Sequence, residues 1–131
     1  DPQIDQLVIN YSAQLGVSRR TISDQEIVER CIFAMINEGA KIVAEKIAQR
    51  PFDIDVVYTH GYGFPSERGG PMFYADRAGL SHVVETIRTF ERGYQGWAWK
   101  PSDLLIELAT TGRTFGSLNA SHATMAGAAV T

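Results

Sequence analysis

Residues 61–71, GYGFPSERGGP, place four glycines and two prolines in eleven positions. No regular helix or strand runs through such a stretch, because a helix-interior glycine costs about 1 kcal/mol and a proline about 3 kcal/mol relative to alanine. The chain must turn a corner there. Gly61, Gly63, Gly69 and Gly70 permit positive φ and close backbone approach, while Pro65 and Pro71 fix φ and stiffen the bend. Pro71 also suits the first turn of a following helix.

The segments on either side carry helical periodicity. Upstream, Ile4, Leu7, Val8, Tyr11 and Leu15 recur at spacings of three and four, with Gly16 as a C-cap, which predicts a short amphipathic helix over 3–15. Ser23 and Glu26 form a capping-box pattern that opens a long central helix. Val28, Cys31, Ile32, Met35, Ile36, Ile42, Val43 and Ile47 give it a broad apolar face, and Pro51 is expected to stop it. FDIDVVYTHGYGF is ambiguous: Ile54, Val56 and Tyr58 alternate as in a strand, whereas Ile54, Val57 and Tyr58 share a helical face, and propensity leans to strand.

Beyond the corner, MFYADRAG predicts a short helix closed by Gly79. Leu80, Val83, Val84, Ile87 and Phe90 form the stripe of another, ending near Gly93. YQGWAWKPSD is an aromatic loop in which Trp97 and Trp99 must point different ways, so at least one is expected on a surface used by a partner. A last helix starts with Ser102 or Asp103 as cap and stops at Gly112, and RTF closes the fold. Residues 119–131, NASHATMAGAAVT, read as a flexible tail or a weak terminal helix.

Composition narrows the function. Twelve Lys and Arg stand among fifteen Asp and Glu, for a net charge of −3, with no basic stripe to follow a nucleic-acid backbone. No apolar run approaches bilayer length, and no basic n-region precedes an apolar one, so the chain is expected to be neither membrane-embedded nor secreted. It opens on DPQIDQ without methionine, which is read as a piece of something longer. Cys31, alone among Ile32, Phe33 and Met35, reads as a small buried apolar residue rather than a reactive thiol, since no His or Lys adjoins it.

Chemical motifs are scarce. A dinucleotide fingerprint needs G-x-G-x-x-G, but positions 61, 63 and 66 read Gly, Gly, Ser, and Pro65 removes an amide. His60, His82 and His122 are far apart, with no metal-ligand spacing, and no G-x-S-x-G elbow occurs. Arg68, beside Glu67, could clamp an anion, but an ion pair or a solvated loop is the leading reading. Asn37 and Glu38 interrupt the central apolar face, where a helix-to-helix hydrogen bond is favoured over a ligand contact. Asp76 closes RGGPMFYAD and joins the corner residues as a structural or domain-interface candidate.

NEGA, DIDVV, GYGFP, RGGPMFYAD and the closing RTF together make the chain, over residues 1–118, resemble the second C-terminal helical repeat of 3-hydroxyacyl-CoA dehydrogenase, as found in multifunctional enzymes of fatty acid β-oxidation. The resemblance implies an all-α helical bundle like the C-terminal domain of 6-phosphogluconate dehydrogenase, and therefore a helix over DIDVVYTH. It implies that NAD and a His–Glu catalytic pair belong to a Rossmann domain outside this chain, which itself binds no cofactor and carries no catalytic residue. The family's substrate-side Asn, which precedes an Arg on the long helix of the first repeat, is replaced here by Glu29 before Arg30.

Partners are then the Rossmann domain and first helical repeat of the parent enzyme, with self-association when the piece stands alone. The compartment implied is first the bacterial cytoplasm, with peroxisome or mitochondrion as alternatives. A free-standing helical dimerisation or interaction module without dehydrogenase activity is the competing reading.

Overall fold

The computed structural model describes residues 1–119, and among them every regular element is helical. In order these are α1 (Pro2–Gln14), α2 (Asp24–Ala44), α3 (Pro51–Gly61), α4 (Pro71–Ala78), α5 (Leu80–Glu91) and α6 (Asp103–Thr111). Short 3-10 turns occupy Ser66–Arg68 and Gly96–Trp99, and residues 115–119 form one more helical turn. Of the expected tail, residues 120–131 lie outside the described residues. Asn119 is described, and its side chain accepts a hydrogen bond from the Phe52 amide at 3.1 Å.

The strand leaning of DIDVVYTH is overturned. Pro51 stands at the first position of α3 with φ already suited to a helix, and the Asp53 carboxylate accepts from the Arg50 amide at 3.0 Å and from its guanidinium at 2.6 Å. Thr59 folds its hydroxyl back onto the Asp55 carbonyl at 2.8 Å. These local bonds and the burial of Ile54 outweigh a β-propensity whose whole range is about 1 kcal/mol.

Pro51 thus opens α3 instead of terminating α2. The central helix stops at Ala44, and a turn with Lys46 at φ 60° leads into α3. Ile47 leaves the apolar face and is 72% exposed. Val28 is exposed as well, and so is Cys31, contrary to the expectation of a buried thiol. The face that α2 does bury lies in its second half, at Phe33, Ile36, Asn37, Gly39 and Ala40.

Helices α3, α4 and α6 pack on that half of α2, and α5 packs on α4 and α6. One continuous core results, filled by Ile54 and Met72, by Val83 and Ile87 of α5, by Leu105 and Leu108 of α6, and by Phe115. Gly39 lets α4 pack tightly on α2: a Cβ there would stand 2.6 Å from the Met72 sulfur. Replacing this glycine would push α4 off α2 or force Met72 into another rotamer.

The predicted N-terminal helix forms, but it buries nothing. Its apolar stripe, Ile4, Leu7, Val8, Tyr11 and Leu15, is exposed throughout. The capping box that opens α2 is half made. Ser23 accepts from the Glu26 amide at 3.2 Å, but the Glu26 carboxylate turns to Arg20 and Arg30.

Candidate functional site

Three side chains of the Asx type, each on an early helix, receive the backbone start of a later element. On α3, Asp55 is 6% exposed and accepts from the Met72 amide at 2.7 Å and the Phe73 amide at 3.1 Å, so it caps the first turn of α4. On α4, Asp76 accepts from the Phe115 and Gly116 amides, both at 2.8 Å, and anchors the closing turn. On α2, Asn37 accepts from the Ser102 amide at 2.7 Å and donates to the Lys100 carbonyl at 2.9 Å, holding the entrance of α6.

Ser102 stands at the N-cap of α6 as expected, but its own side chain caps nothing. The function passes to Asn37, 65 residues upstream. Asn37 therefore bridges α2 to the residues just ahead of α6, a contact within the fold. Glu38, in contrast, lies on the solvent side of α2 and pairs with Lys41 at 3.1 Å, so it does not interrupt the apolar face.

The glycine stretch splits in two. Gly70, at φ 96° and buried, lies so close to Asp55 that a Cβ would stand 2.7 Å from the Asp55 Cα. Gly69, at φ 77°, would place a Cβ 2.9 Å from the Phe73 Cγ and closer still to its Cδ1. Both positions require glycine by conformation and by space. Pro71 is buried behind them at the first position of α4, and the exposed Pro65 leads the 3-10 turn.

Upstream the demands are weaker. Gly63 needs only its positive φ of 71°, since nothing lies within 4 Å of a Cβ, and Gly61 meets neither demand. The structural requirement expected at Gly61 is not found. Arg68 and Glu67 are exposed, with no ion pair among the described residues, so the loop is solvated and no clamp is assembled.

Asp55 escaped the reading of the sequence, although its position among Ile54, Val56 and Val57 in DIDVV was the available signal: a carboxylate in an apolar run needs a dedicated donor set. Burial pushes its carboxyl up from 3.8 to about 6. The Met72 and Phe73 amides oppose that rise, and the negative charge of Asp76 adds to it. Glu29 accepts from Gln25 at 2.9 Å and lies 3.5 Å from His82 Nε2, so its carboxylate links α2 to α5.

No group of three or more His, Cys, Asp or Glu residues stands ready to hold a metal ion among the described residues. Among the described residues no helix is long and apolar enough to cross a membrane. Among the described residues the buried polar side chains are Asn37, Asp55 and Ser102, and backbone groups of the fold occupy both Asx side chains. What this arrangement does chemically is hold helix ends.

Residues 27–120 match the family described as the 3-hydroxyacyl-CoA dehydrogenase C-terminal domain. The chain belongs to that family. It is 47% identical over 113 residues to the peroxisomal bifunctional enzyme of Danio rerio, an alignment covering 86% of this chain and 16% of that protein. The human peroxisomal bifunctional enzyme is 43% identical over the same share of each chain. A fatty acid oxidation complex subunit alpha from Shewanella loihica is 37% identical over 89 residues, or 68% of this chain and 12% of that protein. The chain spans about a sixth of the length of the peroxisomal relatives.

Proposed function

We propose that this 3-hydroxyacyl-CoA dehydrogenase C-terminal domain is a helical support and assembly unit of an NAD-dependent enzyme of fatty acid β-oxidation. In this reading, the unit braces the oxidation of 3-hydroxyacyl-CoA to 3-oxoacyl-CoA without touching the reacting atoms. The observation that carries it is the commitment of Asn37, Asp55 and Asp76 to the protein's own amides and carbonyls, which leaves no convergent polar set among the described residues of the bundle for proton or hydride transfer. NAD and the catalytic pair belong to a nucleotide-binding domain of the parent enzyme, which together with a first helical repeat is the natural partner of this unit. Relatives named for peroxisomes and glyoxysomes and a bacterial relative support a soluble compartment in which fatty acids are oxidised, either peroxisomal or bacterial cytoplasmic.

The exposed stripe of α1, with Leu7 at 68% and Tyr11 at 61%, supports assembly through that helix. Alone in solution the chain is expected to pair with a second copy about a two-fold axis. Mixing the chain with NAD and 3-hydroxybutyryl-CoA should give no NADH absorbance, and sedimentation velocity should show a dimer that Leu7→Glu disperses. Turnover by the chain alone would end the support reading, and a concentration-independent monomer would end the assembly reading.

A further inference from the structure

Where the connector between α1 and α2 passes the end of α5, two arginines grip one carboxylate and a third, Arg19, lines the same groove. Arg20 donates from Nη1 to Glu26 Oε2 at 2.8 Å and from Nη2 to Oε1, and Arg30 Nε donates to Oε1 at 2.9 Å. These bonds, the one from Arg20 foremost, hold the Glu26 carboxyl down at about 2. Arg19 has no acidic partner among the described residues. The cluster therefore carries an excess of two positive charges in a chain whose net charge is −3.

The cluster is also held in place. The Arg30 guanidinium carbon lies 4.0 Å from the centroid of the Phe90 ring and 5.7 Å from that of Trp99, so the side chain is stacked while its terminal nitrogens keep N–H groups unpaired among the described residues. A groove of about 430 Å³ opens beside it, lined by Arg19, Arg20, Arg30, Ser18, Ile22 and Tyr94. Tyr94 is 63% exposed and Ile22 45%, so the groove combines a cationic floor with an aromatic and aliphatic wall.

We propose that this groove binds an organic phosphate monoester, with the phosphate on Arg19 and Arg30 and its organic body against Tyr94 and Ile22. The net excess of two positive charges in the cluster matches a phosphate dianion, whereas a single carboxylate leaves one charge over. The planar forks of Arg19 and Arg30 suit the phosphate oxygens, and Arg30 has lost most of its rotamer freedom before binding. The volume suits a phosphate joined to one ring system, near the lower end of small-ligand sites at roughly 300 Å³.

Phenyl phosphate is the probe, titrated into the 131-residue chain and followed by amide NMR shifts, with inorganic phosphate and benzoate as probes lacking the ring or the second charge. The expected result is saturable binding, with shifts centred on residues 17–22, Arg30 and Tyr94 and affinities in the order phenyl phosphate, inorganic phosphate, benzoate. Arg19→Ala should weaken phenyl phosphate about tenfold or more without moving the thermal midpoint, because Arg19 holds nothing in the fold. Arg113→Ala, which removes an arginine paired with Glu107 at 3.7 Å near the end of α6, should leave the affinity unchanged. Failure to saturate by about 10 mM, an Arg19→Ala chain that binds as well as the parent, or benzoate binding as tightly as phenyl phosphate would each overturn the site.

Discussion

The two ends of the glycine stretch use the same residue for different reasons. At 69–70 the backbone is left-handed and pressed against Asp55 and Phe73, so glycine is required by space and conformation together. At 61–63 there is open room around both positions, and only Gly63 has a positive φ. Tight packing arises where a second element approaches, and here the approaching element is α3, whose Asp55 caps α4 through the gap that Gly70 leaves. A glycine-rich corner is thus half hinge geometry and half a slot for a buried carboxylate.

Substitutions can break this contrast. Gly70→Ala should have the largest effect, roughly 3 to 5 kcal/mol in chemical denaturation, because backbone strain at φ 96° adds to a clash that includes the Asp55 Cα and cannot be relieved by a side-chain rotation. An unchanged midpoint in that variant would remove the slot from the account.

Asp55 sharpens it through pH. Its carboxyl titrates higher in the folded chain, about 6, than the ordinary 3.8, so the folded state favours the protonated form. The stabilisation that follows is complete below about pH 4 and is lost as pH rises through about 6, amounting to roughly 3 kcal/mol as an upper bound on a two-unit shift. Unfolding free energy measured across that window should carry this slope in the parent chain, and Asp55→Asn should flatten it. A slope that survives the substitution would assign the titration elsewhere.

Smaller effects follow at the other positions. Asp76→Ala strands the Phe115 and Gly116 amides and should cost about 1 to 2 kcal/mol, with hydrogen exchange rising first in residues 113–119. A Cβ at Gly63 meets no neighbour, so Gly63→Val should cost about 1 to 2 kcal/mol, chiefly from φ strain. Gly61→Ala should leave the thermal midpoint within the equivalent of about 0.5 kcal/mol. If Gly61→Ala were as damaging as Gly70→Ala, the contrast between the two ends would collapse.

Helices whose apolar residues repeat cleanly were legible from the chain alone, α4, α5 and α6 with their bounding Pro71, Gly79 and Gly112 among them. The long helix was legible in its start at Ser23 but not in its end. Ile47 continues the period, whereas the backbone turns at Lys46 before reaching it. Asn37 was legible as a buried polar group needing a partner, but Asp55 was not, because its two donors lie 17 and 18 residues away across the corner. Cys31 and Glu38 went wrong for one reason: a helical wheel places them beside buried neighbours without saying how wide the covered arc is.

Periodicity, caps and breakers act within a few residues, so the sequence by itself determined most of the helices, where they begin, and where the chain must bend. Helix α1 shows the limit, since its pattern makes a helix but supplies no surface to cover it. Which half of α2 is buried, which glycine faces a carboxylate, and which Asx side chain holds which distant helix end were decided only by tertiary structure. Those outcomes depend on contacts between residues tens of positions apart, and their energies exist only once the helices have packed.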